Sequence, residues 1–225
     1  MTALTDRRML RRADPDRPRL RGWLHGVATP IAIVIAVLLA RRADVGVARA
    51  SVVVFGVGLV GLYAVSTTYH LPPWPARVRA ALARADVAMI QLFIAASFTP
   101  VAVHALDGAW RTWSLIIAWT VALGGAIVAA SPISGPRWLG VTGYVAFGGF
   151  SLVPLVRSLG TLPAVGTVLL VLGAAVYAVG GVVYARRRPN PWPRWFGFHE
   201  VFHALVITAS TIHIVAMWRY VIPLA

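Results

Sequence analysis

Two histidines and a glutamate stand together near the C-terminus, in the stretch His199-Glu200-Val201-Phe202-His203. Histidines four residues apart lie on one face of a helix, one turn above the other, so both imidazoles can reach a single metal ion. No charged residue occurs from position 201 to position 218, so the stretch opens an apolar segment. Ionisable groups in such a segment are costly and usually face the protein interior or a cavity, which makes this stretch a candidate site.

A second set of polar residues lies where one apolar stretch ends and the next begins. Ser66 and His70 are four residues apart and share one helix face. Asp86 opens the following apolar stretch, where a helix N-cap is the alternative role. Three imidazoles, from His70, His199 and His203, suit Zn²⁺ with an open fourth position for water, whose pKa falls to about 7. Asp86 is then predicted to orient or deprotonate that water, and Ser66 to hold the water or the oxyanion.

The C-terminal stretch also matches the H-E-x-x-H pattern of zinc proteases, in which Glu200 would be the general base. Two observations disfavour this interpretation. No downstream ligand with a metzincin spacing follows, and Asp86 offers a competing carboxylate at the same predicted depth. An intramembrane metalloprotease therefore remains an alternative.

The other histidines are predicted to have separate roles. His213 follows His203 by ten residues, which is roughly 15 Å along a helix, so it cannot bind the same ion. We expect His213, with Ser210 on nearly the same face, to make an interior hydrogen bond or to line a cavity. His25 and His104 stand at the ends of apolar stretches, which predicts interfacial positions.

The composition is that of an integral membrane protein. Of the 225 residues, 59% are hydrophobic and only 12% are charged, against roughly a quarter in soluble domains. The chain has no cysteine, so nitrogen and oxygen atoms must hold any metal. The net charge is +14, but the arginines stand in short stretches between apolar segments, where they set topology. We therefore expect membrane lipids as partners and no nucleic acid.

Charged residues divide the chain after position 21 into seven uncharged stretches, each about long enough to cross a membrane. This predicts a basic flexible tail over residues 1–21 and an all-α bundle of seven transmembrane helices over residues 22–225. With the N-terminus in the cytoplasm, the arginines fall mainly on the cytoplasmic side, which favours that orientation. The same topology brings His70, Asp86 and His199 to one depth. The stretches are 22–40, 50–76, 87–106, 112–136, 138–156, 158–185 and 201–218.

These motifs resemble those of the hemolysin III family, which belongs to one superfamily with the progestin and adipoQ receptors. Residues 64–70 are similar to its second-helix motif, and residues 85–86 with 94–100 to its third-helix motif. Residues 199–203 with 212–213 are similar to its last motif. The resemblance covers nearly the whole chain from position 22.

The resemblance implies a seven-helix bundle with a cytoplasmic N-terminus and zinc held by His70, His199 and His203. It also implies that Asp86 contacts the zinc-bound water and that Ser66 matches the serine of the family. Family members commonly carry a histidine directly after this aspartate, where the present chain has Val87. Any proton-transfer role of that histidine is therefore absent here, whereas metal binding is expected to survive. Related alkaline ceramidases suggest hydrolysis of lipid amides.

We therefore predict a multi-pass protein of the bacterial inner membrane that uses zinc to hydrolyse amide or ester bonds in a lipid-like small-molecule substrate. One alternative is a non-enzymatic receptor, sensor or cytolytic protein with a structural, four-ligand zinc site. A transporter is a third possibility, but the predicted helix interiors contain no paired charges to support it.

Overall fold

The structure is a computed structural model that describes residues 17–131 and 137–224. Apart from one isolated bridge between Trp192 and Phe196, these residues contain no β-structure. Eight α-helices make up most of the described chain, and the last one continues as π-helix and 3₁₀-helix to Leu224. The helices are α1 (Trp23–Arg42), α2 (Val47–His70), α3 (Ala76–Ala105), α4 (Gly108–Ala130), α5 (Arg137–Phe150), α6 (Leu152–Arg157), α7 (Ala164–Arg186) and α8 (Phe198–Ala216).

Six of these helical segments are long and apolar enough to cross a membrane, namely α1, α2, α3, α4, α7 and the segment Phe198–Leu224 that begins with α8. In hydrocarbon, a backbone N–H or carbonyl without a partner is costly, so apolar sequences of this length close their hydrogen bonds within a helix. About 20 residues reach across the hydrocarbon core. The chain is therefore a helical, multi-pass membrane protein, as its composition predicts.

The fifth predicted span, residues 138–156, is not one continuous helix. It is divided into α5 and α6, which meet at Ser151. Pro154 has no N–H group to donate to the carbonyl of residue 150, and Gly148 and Gly149 weaken the preceding turn, so the helix breaks there. The 14 residues of α5 rise about 21 Å, less than the hydrocarbon thickness. The described residues thus form six long helices and one broken segment.

Helix α3 lies at the centre of the bundle. It packs against α2 and α4, and it also contacts α5 and the end of the segment that follows α8. Helix α1 packs against α2 and α8, while α7 packs against α8 and α5, so the first and last helices meet. Phe55 and Leu59 of α2 and Phe93 of α3 are buried in the core between them, whereas Ile31 and Val34 of α1 are exposed, as expected of a lipid-facing surface.

The segment before α1 lies against the segment before α8. The N–H of Arg19 donates to the carbonyl of Arg194 at 3.0 Å, and the N–H of Leu20 donates to the carbonyl of Trp195 at 3.1 Å. The guanidinium of Arg19 also lies 4.5 Å from the centre of the Trp195 ring. Helices α1 and α8 therefore begin at the same end of the bundle. Most of the predicted tail, residues 1–16, lies outside the described residues.

Candidate metal centre

Three histidines meet at the end of the bundle where α2 ends and α8 begins. His70 is the last residue of α2, and His199 and His203 lie in the first two turns of α8. Nε2 of His199 is 3.0 Å from Nε2 of His70. One ring nitrogen from each of the three side chains lies within 4.8 Å of the other two, and all three residues are largely buried. The structure thus brings together the three imidazoles that the sequence analysis selects.

These donors fit a metal ion. Nitrogens bound at the usual zinc distance in a tetrahedral shell are about 3.3 Å apart, close to the 3.0 Å between His70 and His199. Imidazole nitrogens suit zinc, copper, iron and nickel, so the donor set defines a metal site but does not select the metal. The histidine cluster (His70, His199 and His203) can therefore hold one ion with a position left for a further ligand.

Asp86 and Ser66 lie beside the histidine cluster. Oδ2 of Asp86 is 3.8 Å from Nε2 of His70, and the Asp86 carboxylate is within hydrogen-bonding reach of the Ser66 hydroxyl. Ser66 is buried one turn before His70 on α2. Because α3 begins at Ala76, Asp86 stands inside that helix, and the alternative role of an N-cap is wrong. The helix directs this carboxylate at the cluster.

Glu200 lies between two members of the histidine cluster in sequence, but its carboxylate binds other groups. Oε1 of Glu200 accepts a hydrogen bond from Nε of Arg21, and Oε2 accepts one from the N–H of Gly197 at 2.8 Å. The Gly197 contact is the N3 half of a capping box at the start of α8, in which the Glu200 side chain satisfies the N–H of the N-cap residue. Both oxygens of this side chain, which is only 1% exposed, are therefore engaged in holding the helix start. This arrangement argues against Glu200 as the general base of a protease.

His25 is a member of the site that the sequence analysis misses. Its ring stacks on His203 with 4.0 Å between ring centres and 6° between planes, and it also stacks on Tyr63 at 4.8 Å. It is only 2% exposed, and His104 is also buried, so both side chains lie inside the protein, while their interfacial depth stays a prediction. His25 can be predicted from its depth in the membrane, because α1 begins at the same end of the bundle as α8.

Residues before α1 cover this end of the site. Gly22 has a left-handed backbone with φ of +88°, and a Cβ atom there would lie 2.7 Å from Cβ of His70. A side-chain nitrogen of Arg17 donates to the carbonyl of His70. Together with the pair of Arg21 and Glu200, these contacts fasten the start of the described chain over α2 and α8.

A cavity of about 1170 Å³ extends from the histidine cluster into the bundle. Asp86 and Ser66 line it near the cluster, and residues of α3, α5, α7 and α8 form largely apolar walls beyond. His213 lines its far part, and the His213 Nε2 atom donates to the carbonyl of Leu170 at 3.0 Å. Both predicted roles of His213 are therefore confirmed. The cavity joins a polar site to a long apolar chamber.

The sequence is similar to those of known proteins. Residues 14–214 match the family described as Haemolysin-III related. The chain is 26% identical over 204 residues to Hemolysin-3 of Bacillus cereus, covering 89% of this chain and 90% of the relative. It is 27% identical over 202 residues to the human monocyte to macrophage differentiation factor, covering 88% and 82%. It is 31% identical over 196 residues to the heptahelical transmembrane protein ADIPOR2 of Oryza sativa subsp. japonica, covering 77% and 85%.

Proposed function

Because the chain belongs to the family of haemolysin-III related proteins, we propose that it is a zinc-dependent hydrolase of amide or ester bonds in lipid-like substrates. The observation that carries this proposal is the position of Asp86. Its carboxylate lies 3.8 Å from Nε2 of His70 and also lines the cavity, so it faces both a metal site and the space for a substrate. A carboxylate that lies beside a metal site without being one of the three ligands is placed for water activation.

The side chains divide the work of hydrolysis between them. His70, His199 and His203 would hold the ion, which supplies a Lewis acid and lowers the pKa of water when bound. Asp86 is placed to accept a proton from the attacking water and to return it to the departing amine or alcohol. Ser66 is placed to donate a hydrogen bond to the Asp86 carboxylate and so to orient it.

The substrate class follows from the shape and lining of the cavity. A chamber of about 1170 Å³ has room for a lipid-sized molecule, and its walls beyond the histidine cluster are mostly apolar. Val87, next to Asp86, adds to the apolar wall. A carbonyl group at the cluster with a long apolar chain in the chamber is therefore the arrangement that best fits this space.

We place the histidine cluster at the cytoplasmic face of a bacterial inner membrane, with seven crossings. A backbone hydrogen bond connects Arg19, before α1, to Arg194, after α7, so the start of α1 and the end of α7 lie at one end of the bundle. The chain must therefore cross the membrane an even number of times from the start of α1 to the end of α7. Helices α1, α2, α3, α4 and α7 give five crossings, so α5 and α6 together make the sixth. The arginine distribution then puts this end in the cytoplasm. The word heptahelical in the name of the Oryza sativa relative agrees with this count.

A non-enzymatic role with structural zinc is the second candidate, and it rests on the same distance. Oδ2 of Asp86 is 3.8 Å from Nε2 of His70, and a small movement toward the cluster would let Asp86 serve as a fourth ligand. The site would then be closed to water. The protein would then be a receptor, sensor or cytolytic protein, the last being suggested by the name Hemolysin-3 of the Bacillus cereus relative. The two candidates differ in what Asp86 does.

Metal content and turnover of the detergent-purified protein test the proposal. We expect about one zinc per chain in the wild type, a loss of zinc in His70→Ala and His203→Ala, and retention of zinc in Asp86→Asn. We expect Asp86→Asn to lower hydrolysis of N-acyl amide lipids by roughly 100-fold or more, because general base catalysis contributes that much.

Two outcomes would contradict the proposal. A folded wild type that binds no zinc after incubation with the metal would rule out the hydrolase. Loss of zinc in Asp86→Asn, with no cleavage of any amide or ester lipid by the wild type, would favour the closed structural site. His104→Ala is a suitable control, because that buried histidine does not line the cavity.

A further inference from the structure

His213 carries a buried hydrogen-bonding atom with no partner. Its Nε2 lies 3.0 Å from the carbonyl of Leu170, and a carbonyl can only accept, so Nε2 carries the proton. Nδ1 of the neutral ring is then an acceptor, and it is buried without a partner among the described residues. His213 itself is only 8% exposed and lines the cavity. A buried acceptor of this kind is costly unless a donor reaches it.

The neighbouring hydroxyl groups also offer an acceptor. The Ser210 hydroxyl donates to the carbonyl of Val206 at 2.8 Å, which uses its only hydrogen. The Tyr177 hydroxyl, 2.7 Å from Oγ of Ser210, must then donate to it, so the lone pairs of Tyr177 stay available. The rings of Tyr177 and His213 are 5.6 Å apart, and both residues line the cavity. Nδ1 of His213 therefore lacks a donor, and the Tyr177 hydroxyl beside it can accept a further hydrogen bond.

A glycine makes room for this arrangement. The ring of His213 lies directly against Gly173 of α7, where any Cβ atom would overlap its Cδ2 and Nε2 atoms. Only a residue without a side chain therefore lets the ring reach Leu170 and hold Nδ1 in place. Contacts between α7 and α8 therefore hold the His213 ring in place without a ligand.

We propose that Tyr177 and His213 form a distal recognition site for a hydroxyl or amide N–H group on the substrate. This inference rests on the proposed function, because it specifies the substrate of the same cavity. His213 stands ten residues beyond His203, roughly 15 Å along the helix. The substrate class is therefore an elongated apolar molecule with a hydrolysable carbonyl at one end and a hydrogen-bond donor about that far away.

Binding of two matched fatty acids tests the distal site without requiring turnover. Lauric acid is a model of an acyl product, and ω-hydroxylauric acid adds a hydroxyl donor at the far end of the same chain. We expect the wild-type protein to bind the hydroxylated acid roughly three- to tenfold more tightly in calorimetric titration, which is the net effect of one hydrogen bond. We expect His213→Leu to bind lauric acid still but to lose this preference.

The control is His104→Leu, the same substitution at a buried histidine that does not line the cavity, and it should keep the preference. Tyr177→Phe provides a second variant should His213→Leu fail to fold, and it should weaken the preference. Equal affinities of the wild type for both acids, or a preference that survives in His213→Leu, would overturn the inference. A hydroxyl preference without hydrolysis would refute the proposed function alone, and hydrolysis without the preference would refute the distal site alone.

Discussion

At the scale of single residues, the pair of Arg21 and Glu200 is expected to stabilise the fold without taking part in hydrolysis. Glu200→Gln keeps an acceptor for the N–H of Gly197 but removes the charge that binds Arg21. We expect it to lower the free energy of unfolding by about 1.5–3 kcal/mol, the usual value of a hydrogen bond to a charged group. Zinc content and turnover of the folded variant should stay close to wild type. Thermal unfolding in detergent and metal analysis measure these effects.

The matched control for Glu200→Gln is Arg21→Gln, which breaks the same contact from the other side. Because both variants remove one interaction, the double variant should be little less stable than either single variant. Additive losses would mean that the pair is not coupled. A folded Glu200→Gln protein that keeps zinc but does not turn over would instead support the metalloprotease.

Much of the site can be predicted from the sequence, because helix periodicity and the order of the spans depend only on positions along the chain. Spacing selects His199 and His203, and span ends place His70 and Asp86 at the same depth; the structure shows that these side chains meet. The role of Glu200 cannot be predicted in this way. It depends on how the chain before α1 folds back onto α8, which is a contact between distant parts of the sequence.

At the scale of helices, small residues of α2 set its distance from α3. A Cβ atom at Gly58 would lie 2.6 Å from Cβ of Ala96, which is fixed to the α3 backbone. One at Gly61 would lie 2.8 Å from Cε of Met89, the flexible end of a long side chain. We expect Gly58→Ala to destabilise the protein by about 1–3 kcal/mol through overpacking, and Gly61→Ala to have a smaller effect.

The two glycine variants make the same change on the same helix, so each serves as the control for the other. Their unfolding temperatures in one detergent give the comparison. Equal destabilisation, or a larger loss in Gly61→Ala, would show that the spacing of α2 and α3 is not set by Gly58.

Uncharged length alone predicts where helices cross, but it does not predict where they break. It finds the six long segments because charge is costly in hydrocarbon, but it does not give their limits, since α3 begins at Ala76, ten residues before Asp86. The break at Ser151 arises from the backbone chemistry of Gly148, Gly149 and Pro154, which a count of charges does not register. These residues are visible in the sequence, and their weak helix propensity indicates the division.

At the scale of the whole molecule, the number of crossings decides on which side of the membrane two loops lie. The chain has no cysteine, so single cysteines can report their own accessibility. Val45, between α1 and α2, and Trp192, between α7 and α8, are 81% and 68% exposed. With seven crossings, Val45→Cys should react with a membrane-impermeant thiol reagent in intact cells, and Trp192→Cys should react only after the cells are opened.

Labelling of the two cysteine variants also distinguishes the alternative topologies. If α5 and α6 do not cross together, both cysteines lie on the same side and label alike. If labelling is exchanged between the two positions, the N-terminus lies outside and the arginine rule fails for this protein.

The contact between the first and last helices has a consequence for biosynthesis. His70 and Asp86 emerge from the ribosome early, whereas His199 and His203 belong to the final segment of the chain. During insertion the membrane therefore holds an incomplete donor set, and the contact between Arg21 and Glu200 cannot form until the start of α8 has been translated. A metal ion could bind all three imidazoles only after α8 has been made, because nascent chains that stall before α8 contain only one of them.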